Sequence, residues 1–168
     1  MKSIDIANGI IFQLMDIKID SFDERIISQK KIYLLQYLGT DLGYVYDWYL
    51  RGPYSPELSK YLYNKLDVLK NTDFSQYQLV EKPQSNVNIV NTLGDFNRIG
   101  ISLSSWYELL ASLVYINANK ESWHIANKSE LIMTLIKHKP QFNETQCKDA
   151  LNTLKYRGIN LVGIKDGQ

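Results

Sequence analysis

The sequence predicts a mostly helical α+β fold, with a winged-helix-like core, a small β-hairpin and a helical C-terminal cap. Three observations lead to this prediction. Apolar residues recur at helical spacing through most of the 168 residues. One short segment, Tyr44–Leu50, is rich in strand-forming residues instead. It is followed by Arg51-Gly52-Pro53-Tyr54-Ser55-Pro56, a pattern typical of a turn that leads directly into a helix.

Two helices are predicted before that strand. The first covers 4–15, where isoleucines recur at helical spacing. The second begins after Ser21, because Asp23 and Glu24 favour a helix start, and it ends near Gly39. Five of its residues are expected along one face: Ile27, Lys31, Leu34, Leu35 and Leu38.

The strand over Tyr44–Leu50 is predicted to pair with Gln76–Val80 as a hairpin. Ser55 is expected to cap the next helix, with Pro56 at its first position and an end near Lys70. The predicted buried stripe of this helix is Leu58, Tyr61, Leu62, Leu66 and Leu69. Its outward face is predicted to carry Glu57, Lys60, Asn64, Asp67 and Lys70, whose charges sum to zero.

The second half is predicted to be helical after a long loop or weak hairpin over 71–88. Its predicted elements are a short helix over 87–97, a helix opened by a capping box of Ser105 and Glu108, a helix from Asn127 to Lys137, a helix after Asn143 capped together with Gln146, and a closing strand over 159–164.

Composition is typical of one soluble domain, 1–168, made of a winged-helix-like core over 1–85 and a helical part over 86–168. Nineteen Lys and Arg residues stand against eighteen Asp and Glu, which leaves a net charge of +1. No block of the sequence forms a basic patch that would neutralise many phosphates, and a local basic face stays open as an alternative. Because non-specific nucleic-acid affinity is mostly electrostatic, this balance argues against general DNA or RNA binding. A single cysteine, no signal-peptide pattern and no membrane-length apolar stretch predict a cytoplasmic protein without a membrane partner.

The sequence predicts no catalytic, cofactor-binding or metal-binding residue. His124 and His138 do not have metal-ligand spacing, and one cysteine cannot complete a zinc site. Cys147 is interpreted as a buried packing residue, since it lies on the apolar face of a helix. The acidic residues Asp20, Asp23 and Glu24 are interpreted as favouring a helix start.

Five residues are predicted to contact a partner: Trp48, Arg51, Tyr54, Lys60 and Asn64. Arg51 stands beside a rigid turn with tyrosines on both sides. Its guanidinium can bind a phosphate or a carboxylate of a partner through two hydrogen bonds, or it can pair with Asp47 or Glu57 within the chain. Lys60 and Asn64 face solvent by periodicity, where the helix of a DNA-reading winged helix would meet bases. Asp67 and Glu57 on the same face argue against DNA.

Several segments together resemble a bacterial family. Lys30–Gln36, the aromatic Tyr46–Tyr49 and Gly52-Pro53-Tyr54-Ser55-Pro56-Glu57-Leu58 are similar to the YwgA-like proteins, and more distantly to the Panacea (SocA-like) antitoxin domain. The stretches Trp106–Ser112 and Lys139–Phe142, together with the predicted helix after Asn143, are similar to the later part of the YwgA-like group. This resemblance implies a neutralising module that binds partner proteins, and it brings no catalytic residue with it.

Three functional hypotheses follow. The first is a non-enzymatic protein-binding module, acting as an antitoxin or as an accessory subunit of a bacterial or phage defence or counter-defence system. It rests on the missing catalytic motifs, the balanced charge, the twelve tyrosines and the resemblance. The second is a sequence-specific DNA-binding regulator that uses the helix over 56–70. The third is an enzyme whose site assembles from distant positions. A toxin or defence-system subunit, DNA, and a second copy of the chain are the partners considered.

Overall fold

The computed structural model of the protein describes residues 1–95 and 100–161, and within them seven α-helices and one two-stranded hairpin form. The elements are α1 (Ser3–Leu14), α2 (Phe22–Tyr37), β1 (Asp47–Tyr49), β2 (Gly52–Tyr54), α3 (Pro56–Lys70), α4 (Glu81–Thr92), a 3₁₀ turn (Leu93–Asp95), α5 (Leu103–Ala118), α6 (Lys128–His138) and α7 (Glu144–Tyr156). The prediction of a mostly helical α+β fold with a small β-hairpin is confirmed.

Helices α2 and α5 form the centre of the fold and pack against each other. Helix α5 is buried on nearly all sides, as expected of a helix that is apolar all round. Helix α1 packs on α3, while α6 and α7 cover α5. The hydrophobic core is continuous between the two halves of the chain, since Leu34 and Leu58 belong to the same cluster as Leu109 and Leu154.

Helix starts follow the local signals in the sequence. The Ser21 hydroxyl accepts a hydrogen bond from the Glu24 amide, and the Glu24 carboxylate accepts one from the Ser21 amide, which completes a capping box. Asn143 and Gln146 form the same arrangement before α7. The Ser55 hydroxyl accepts from the backbone amide three residues on, and a proline opens α3. The predicted caps at Ser55 and Asn143, and the predicted helix start after Ser21, are therefore confirmed.

The hairpin has a different second strand from the predicted one. Trp48 of β1 lies opposite Pro53 of β2 in an antiparallel pair, so the predicted partner Gln76–Val80 is wrong. The turn is confined to Leu50 and Arg51, and the segment predicted as turn contains β2. A two-residue connection orders far less chain than the excursion through α3 that the predicted pairing would need. The hairpin therefore precedes α3, and the winged-helix-like arrangement stays a prediction.

Three further element predictions are corrected. Helix α4 begins at Glu81, not near 87. Pro83 does not prevent this earlier start, because a proline is tolerated in the first turn of a helix. The capping residue of α5 is Ser102, whose hydroxyl accepts from the Ser105 amide, so Ser105 does not cap a helix. Residues 159–161 form no strand, and the rest of the predicted closing strand lies outside the described residues.

The buried surface of α2 is also wider than the single predicted face. Ile27 and Lys31 are only partly buried, while the polar residues Gln29 and Lys30 are 4% and 1% exposed. Their burial places polar side chains directly beneath the hairpin.

Candidate functional site

Two side chains of α2 hold the hairpin from one side. The Gln29 amide donates to the carbonyl of Ser55 at 2.9 Å and accepts from the Ser55 amide at 3.0 Å. Lys30 Nζ donates to the carbonyl of Pro53 at 2.6 Å. All three hydrogen bonds are buried, where a lost partner would leave an unsatisfied polar group. Helix α2 therefore fixes the backbone at Pro53 in β2 and at Ser55, which follows β2 and caps α3.

A buried ion pair holds the hairpin from the other side. Lys139, just after α6, lies 3.2 Å from Glu108 of α5, and the two side chains are 2% and 3% exposed. Lys139 Nζ also donates to the carbonyl of Leu50 at 3.1 Å, and Gln141 donates to the same Glu108 oxygen at 3.1 Å. Lys139 thus joins the hairpin turn to α5, and its positive charge is balanced by the carboxylate of Glu108.

Gly52 brings the hairpin backbone into direct contact with α5. Its φ is +90°, a conformation that side chains disfavour. A Cβ at this position would lie 2.5 Å from Ser112 Oγ of α5. Glycine is therefore required here both by backbone conformation and by close packing.

The electrostatics beneath the hairpin are dominated by Lys30. Burial lowers the pKa of Lys30 to about 7, while Glu108 favours its charged form and Lys139 and Arg51 oppose it. Burial also lowers the pKa of Lys139 although Glu108 lies beside it. Two lysines thus share one carboxylate, and Lys30 changes its charge near neutral pH.

The free energy of unfolding is expected to rise by about 1–2 kcal/mol between about pH 7 and pH 9 because of Lys30. An unfolded lysine keeps its proton to about pH 10.4, whereas folded Lys30 loses it near pH 7, so the unfolded state binds more protons in this window. Urea unfolding at several pH values measures the slope of the free energy of unfolding against pH. Lys30→Met should remove most of it.

Other groups limit the window in which this prediction holds. Lys31 and Lys139, whose pKa values burial also lowers, add a contribution of the same sign. Burial raises the pKa of Cys147 to about 11 and that of Tyr46 well above its ordinary value, so both oppose the trend at higher pH. An equal slope in the parent protein and in Lys30→Met would contradict the assignment.

A cavity of about 250 Å³ opens between α2, the hairpin and α3. Apolar and aromatic side chains supply much of its wall, together with three cationic residues and no acidic one among the described residues. Its lining residues are Ile19, Phe22, Arg25, Ile26, Gln29, Lys30, Arg51, Tyr54, Ser59, Leu62 and Tyr63.

Aromatic and arginine side chains surround the cavity: Phe22, Arg51 and Tyr63 are exposed, and Arg25 and Tyr54 are half-buried. Phe22 is 55% exposed, and the guanidinium groups of Arg25 and Arg51 lie 6.0 and 5.3 Å from the centre of its ring. Tyr63 of α3 is 63% exposed on the opposite wall. The predicted pairing of Arg51 with an acidic residue of the chain is not seen among the described ion pairs, and its guanidinium lies over Phe22.

A second aromatic group lies on the other side of the hairpin. The Trp48 ring lies 5.1 Å from that of Trp123 and 5.6 Å from that of Tyr115. His138 contacts both tryptophans, and Lys139 Nζ lies 5.3 Å from the centre of the Trp48 ring. Trp48 therefore joins β1 to α5 and α6.

The structure brings only two of the five predicted partner-binding residues together. Arg51 and Tyr54 line the cavity. Trp48 is half-buried in the second aromatic group. Lys60 and Asn64 are exposed on α3, as predicted, but they lie outside the lining of the cavity.

Sequence reasoning missed Phe22, Arg25 and Tyr63 at the mouth of the cavity. Phe22 is the first residue of α2, directly after the capping Ser21. An aromatic residue at the very start of a helix is a signal in the sequence that could have indicated a surface aromatic side chain. Arg25 lies about one turn further along the same helix, so the pair is also readable from spacing. Lys30 and Glu108 carry no local signal, since their partners are distant in the chain.

The remaining reactive side chains do not form a site in the described part of the chain. Cys147 is buried, as predicted, and Asp23 near the start of α2 accepts a hydrogen bond from Ser104 at 2.8 Å. A polar cluster between α1 and α3 joins Asp5 to Tyr61 and Asn8 to Tyr44 by hydrogen bonds. No group of three or more His, Cys, Asp or Glu residues that could hold a metal ion occurs within 1–95 and 100–161. Among these same residues, none of the helices combines the length and the apolar character needed to span a bilayer.

Comparisons with models of protein families, with curated proteins and with solved structures found no match. The resemblance to the YwgA-like and Panacea groups therefore stays a prediction.

Proposed function

We propose that the protein is a non-enzymatic, cytoplasmic module that binds another protein through the surface around the hairpin. We call this the hairpin surface and define it by Phe22, Arg25, Leu50, Arg51, Tyr54 and Tyr63. The observation that carries the proposal is the grouping of aromatic and arginine side chains, exposed or half-buried, around a largely apolar cavity. Aromatic and arginine residues dominate the binding energy of protein interfaces.

The hairpin tip adds an exposed apolar side chain to this surface. Leu50 is 90% exposed, and Tyr49 beside it is 44% exposed. The Tyr49 and Tyr54 rings pack on each other at 5.2 Å between centres, which joins the tip to the cavity wall. Exposed apolar patches on soluble domains commonly mark sites of interaction.

The backbone of the hairpin surface is fixed before a partner arrives. Gln29, Lys30 and Lys139 all donate hydrogen bonds to carbonyls of the hairpin or of Ser55, which follows it. A surface that is already ordered loses little conformational entropy on binding, so more of its contact energy appears as affinity.

The resemblance to YwgA-like and Panacea proteins supports an antitoxin-like role, or a role as accessory subunit of a bacterial or phage defence or counter-defence system. The partner in that role is a toxin or a subunit of the defence system. Affinity purification of the tagged protein from its native host, with and without nuclease, tests the proposal. A stoichiometric protein that survives nuclease treatment is expected, whereas recovery of the tagged protein alone would contradict it.

Phe22→Ala and Arg51→Ala are each expected to weaken the captured partner's affinity by about tenfold or more, which corresponds to a hot-spot cost above about 1.4 kcal/mol. Both side chains lie at the mouth of the cavity and are exposed in the free protein, so the fold should persist. Isothermal titration calorimetry measures the effect.

Matched controls are available on α6. Met133→Ala removes an apolar side chain that is 67% exposed, and Lys137→Ala removes an exposed cation, both outside the lining of the cavity. Neither should change the affinity. Equal losses in the hairpin-surface and α6 variants would place the interface elsewhere.

The alternative is a DNA-binding regulator that uses α3. Exposure of Lys60 and Asn64 favours it, because both are free to meet bases. Exposed Glu57 and Asp67 on the same helix oppose it. A mobility-shift assay on the protein's own promoter at low salt separates the two hypotheses, and a salt-dependent shift lost in Lys60→Ala and Asn64→Ala would favour DNA.

A further inference from the structure

We propose that the cavity at the hairpin surface receives one apolar side chain of the protein partner together with a neighbouring carboxylate. This inference rests on the proposed function and specifies the chemistry of the partner segment that enters the cavity. The occupant is a segment in which an aromatic or branched aliphatic residue adjoins an aspartate, a glutamate or the chain's C-terminal carboxylate.

The size and walls of the cavity suit one large side chain. Its volume of about 250 Å³ lies below the range of about 300–1,000 Å³ that is usual for pockets that enclose a complete small molecule. Ile19, Ile26 and Leu62 supply aliphatic walls, and Tyr54 and Tyr63 supply aromatic ones. A single apolar side chain inserted here would be largely removed from water, as central hot-spot residues are.

The charge around the cavity favours an anion beside that side chain. Arg25, Arg51 and Lys30 all line it, and no described acidic residue does. Glu108 acts on Lys30 electrostatically, but it already pairs with Lys139 at 3.2 Å and accepts from Gln141. The cationic groups at the cavity are therefore incompletely compensated within the described residues, and a carboxylate from outside would complete the balance.

Hydrogen-bond donors remain available for that carboxylate. A lysine ammonium has three N–H donors, and toward the described residues Lys30 uses one of them, to the Pro53 carbonyl. Within the same part of the chain, Arg25 donates one hydrogen bond, to the Ile19 carbonyl at 3.1 Å, out of the five that a guanidinium can make. Arg51 is exposed at the cavity mouth, where bidentate contact with a carboxylate is geometrically favoured.

Carboxylate binding should depend on pH through Lys30. The charged groups that act on its amine are Glu108, Lys139 and Arg51, with Arg25 also at the cavity. Because burial lowers the pKa of Lys30 to about 7, a bound carboxylate would stabilise its charged form and draw in a proton. Affinity for the carboxylate should therefore fall as the pH rises above neutrality.

Phenylacetate and its neutral isostere phenylacetamide are the probes for this inference. Each is titrated into the full chain while amide NMR signals of Gln29, Arg51 and Tyr54 are followed. Phenylacetate is expected to shift these signals and to bind at least about tenfold more tightly than phenylacetamide, with weaker binding at higher salt and higher pH. Equal affinity of the two probes, or no binding at the cavity, would overturn the inference.

Arg51→Gln tests the charge without endangering the fold, because Arg51 is exposed. It should weaken phenylacetate binding by about fivefold or more and leave phenylacetamide unchanged. Lys137→Gln on α6 is the matched control and should change neither. Lys30→Met should abolish the pH dependence of phenylacetate binding, and persistence of that dependence would overturn the role of Lys30.

A separate measurement distinguishes this inference from the proposed function. The acidic residues in the contacting segment of the captured partner are replaced by their amides, and its C-terminal carboxylate is amidated where the segment is the chain's end. Unchanged affinity, with the partner still lost in Phe22→Ala, would overturn the carboxylate and keep the protein-binding function. Probe binding in a protein that captures no partner would support the cavity chemistry and contradict the function.

Discussion

The Gly52→Ala variant is expected to lose about 3–4 kcal/mol of its free energy of unfolding, whereas Gly39→Ala should lose about 1–2 kcal/mol. Both glycines have a positive φ, +90° and +105°, so both variants strain the backbone. A Cβ at Gly52 would lie 2.5 Å from Ser112 Oγ, while a Cβ at Gly39 would meet nothing within 4 Å. Urea unfolding of the two variants therefore separates the steric cost from the conformational cost.

Ser112 offers a second test of the same contact. Its hydroxyl makes no hydrogen bond within the described part of the chain, so Ser112→Ala alone should change stability little. The Ser112 Cβ would lie 3.7 Å from an added Cβ at Gly52, which is an ordinary contact distance. In the Ser112→Ala background, Gly52→Ala should thus cost about as much as Gly39→Ala. A Gly52→Ala cost that is unchanged in that background would contradict the assignment of the strain to this contact.

The parts of the fold that were predicted correctly are those that short-range chemistry decides. The caps at Ser21, Ser55 and Asn143 satisfy backbone amides within three residues, so a local pattern identifies them. The buried leucine stripe of α3 follows from helical periodicity, and each of its four leucines is buried.

The errors arose where two local patterns competed or where partners are distant. Ser105 and Glu108 match a capping box, but Ser102 caps α5 and Glu108 is buried against Lys139, thirty-one positions along the chain. A capping glutamate at the start of a helix normally lies at the surface, so only the tertiary structure reveals the ion pair. The pairing of β1 with Gly52–Tyr54 was missed because glycine and proline are unusual in strands.

The candidate site was predicted only in part for the same reason. Arg51 and Tyr54 are adjacent to a recognisable turn, and they do line the cavity. Phe22 and Arg25 come from a helix start about thirty residues earlier, and no sequence period links them to the hairpin. Lys60 and Asn64 were correctly predicted to be exposed on α3, but they do not line the cavity. Helical periodicity predicts which residues are exposed, not which of them lie beside the hairpin.

The buried charges explain how so short a hairpin can be held in one place. Two strands of three residues bury little area themselves, and isolated hairpins are only marginally stable. Lys30 and Lys139 donate hydrogen bonds to backbone carbonyls on both sides of Gly52. Because these bonds go to the backbone, they hold the hairpin without using its side chains. This arrangement leaves Leu50, Arg51 and Tyr54 available for a partner, and it makes the single carboxylate of Glu108 critical.

Glu108→Gln is expected to reduce the free energy of unfolding by about 3 kcal/mol, because it leaves Lys139 buried without its counter-charge. The substitution conserves shape, so the loss reports charge more than packing. Glu144→Gln is the matched control: its ion pair with Lys148, at 2.9 Å, is exposed and should contribute no more than about 0.5 kcal/mol. Similar losses in the two variants would show that burial of the Glu108 pair has no energetic consequence.

A double-mutant cycle completes the test. Lys139→Met alone should also cost about 3 kcal/mol, since it leaves the buried Glu108 carboxylate without its ion-pair partner and with only the Gln141 hydrogen bond and the more distant charge of Lys30 among the described residues. Glu108→Gln combined with Lys139→Met removes both charges, so the double variant should cost about 1–3 kcal/mol less than the sum of the two single variants. Additive losses would mean that the two residues act independently. Coupled losses, accompanied by weaker partner binding in both single variants, would link this buried pair to the position of the hairpin surface.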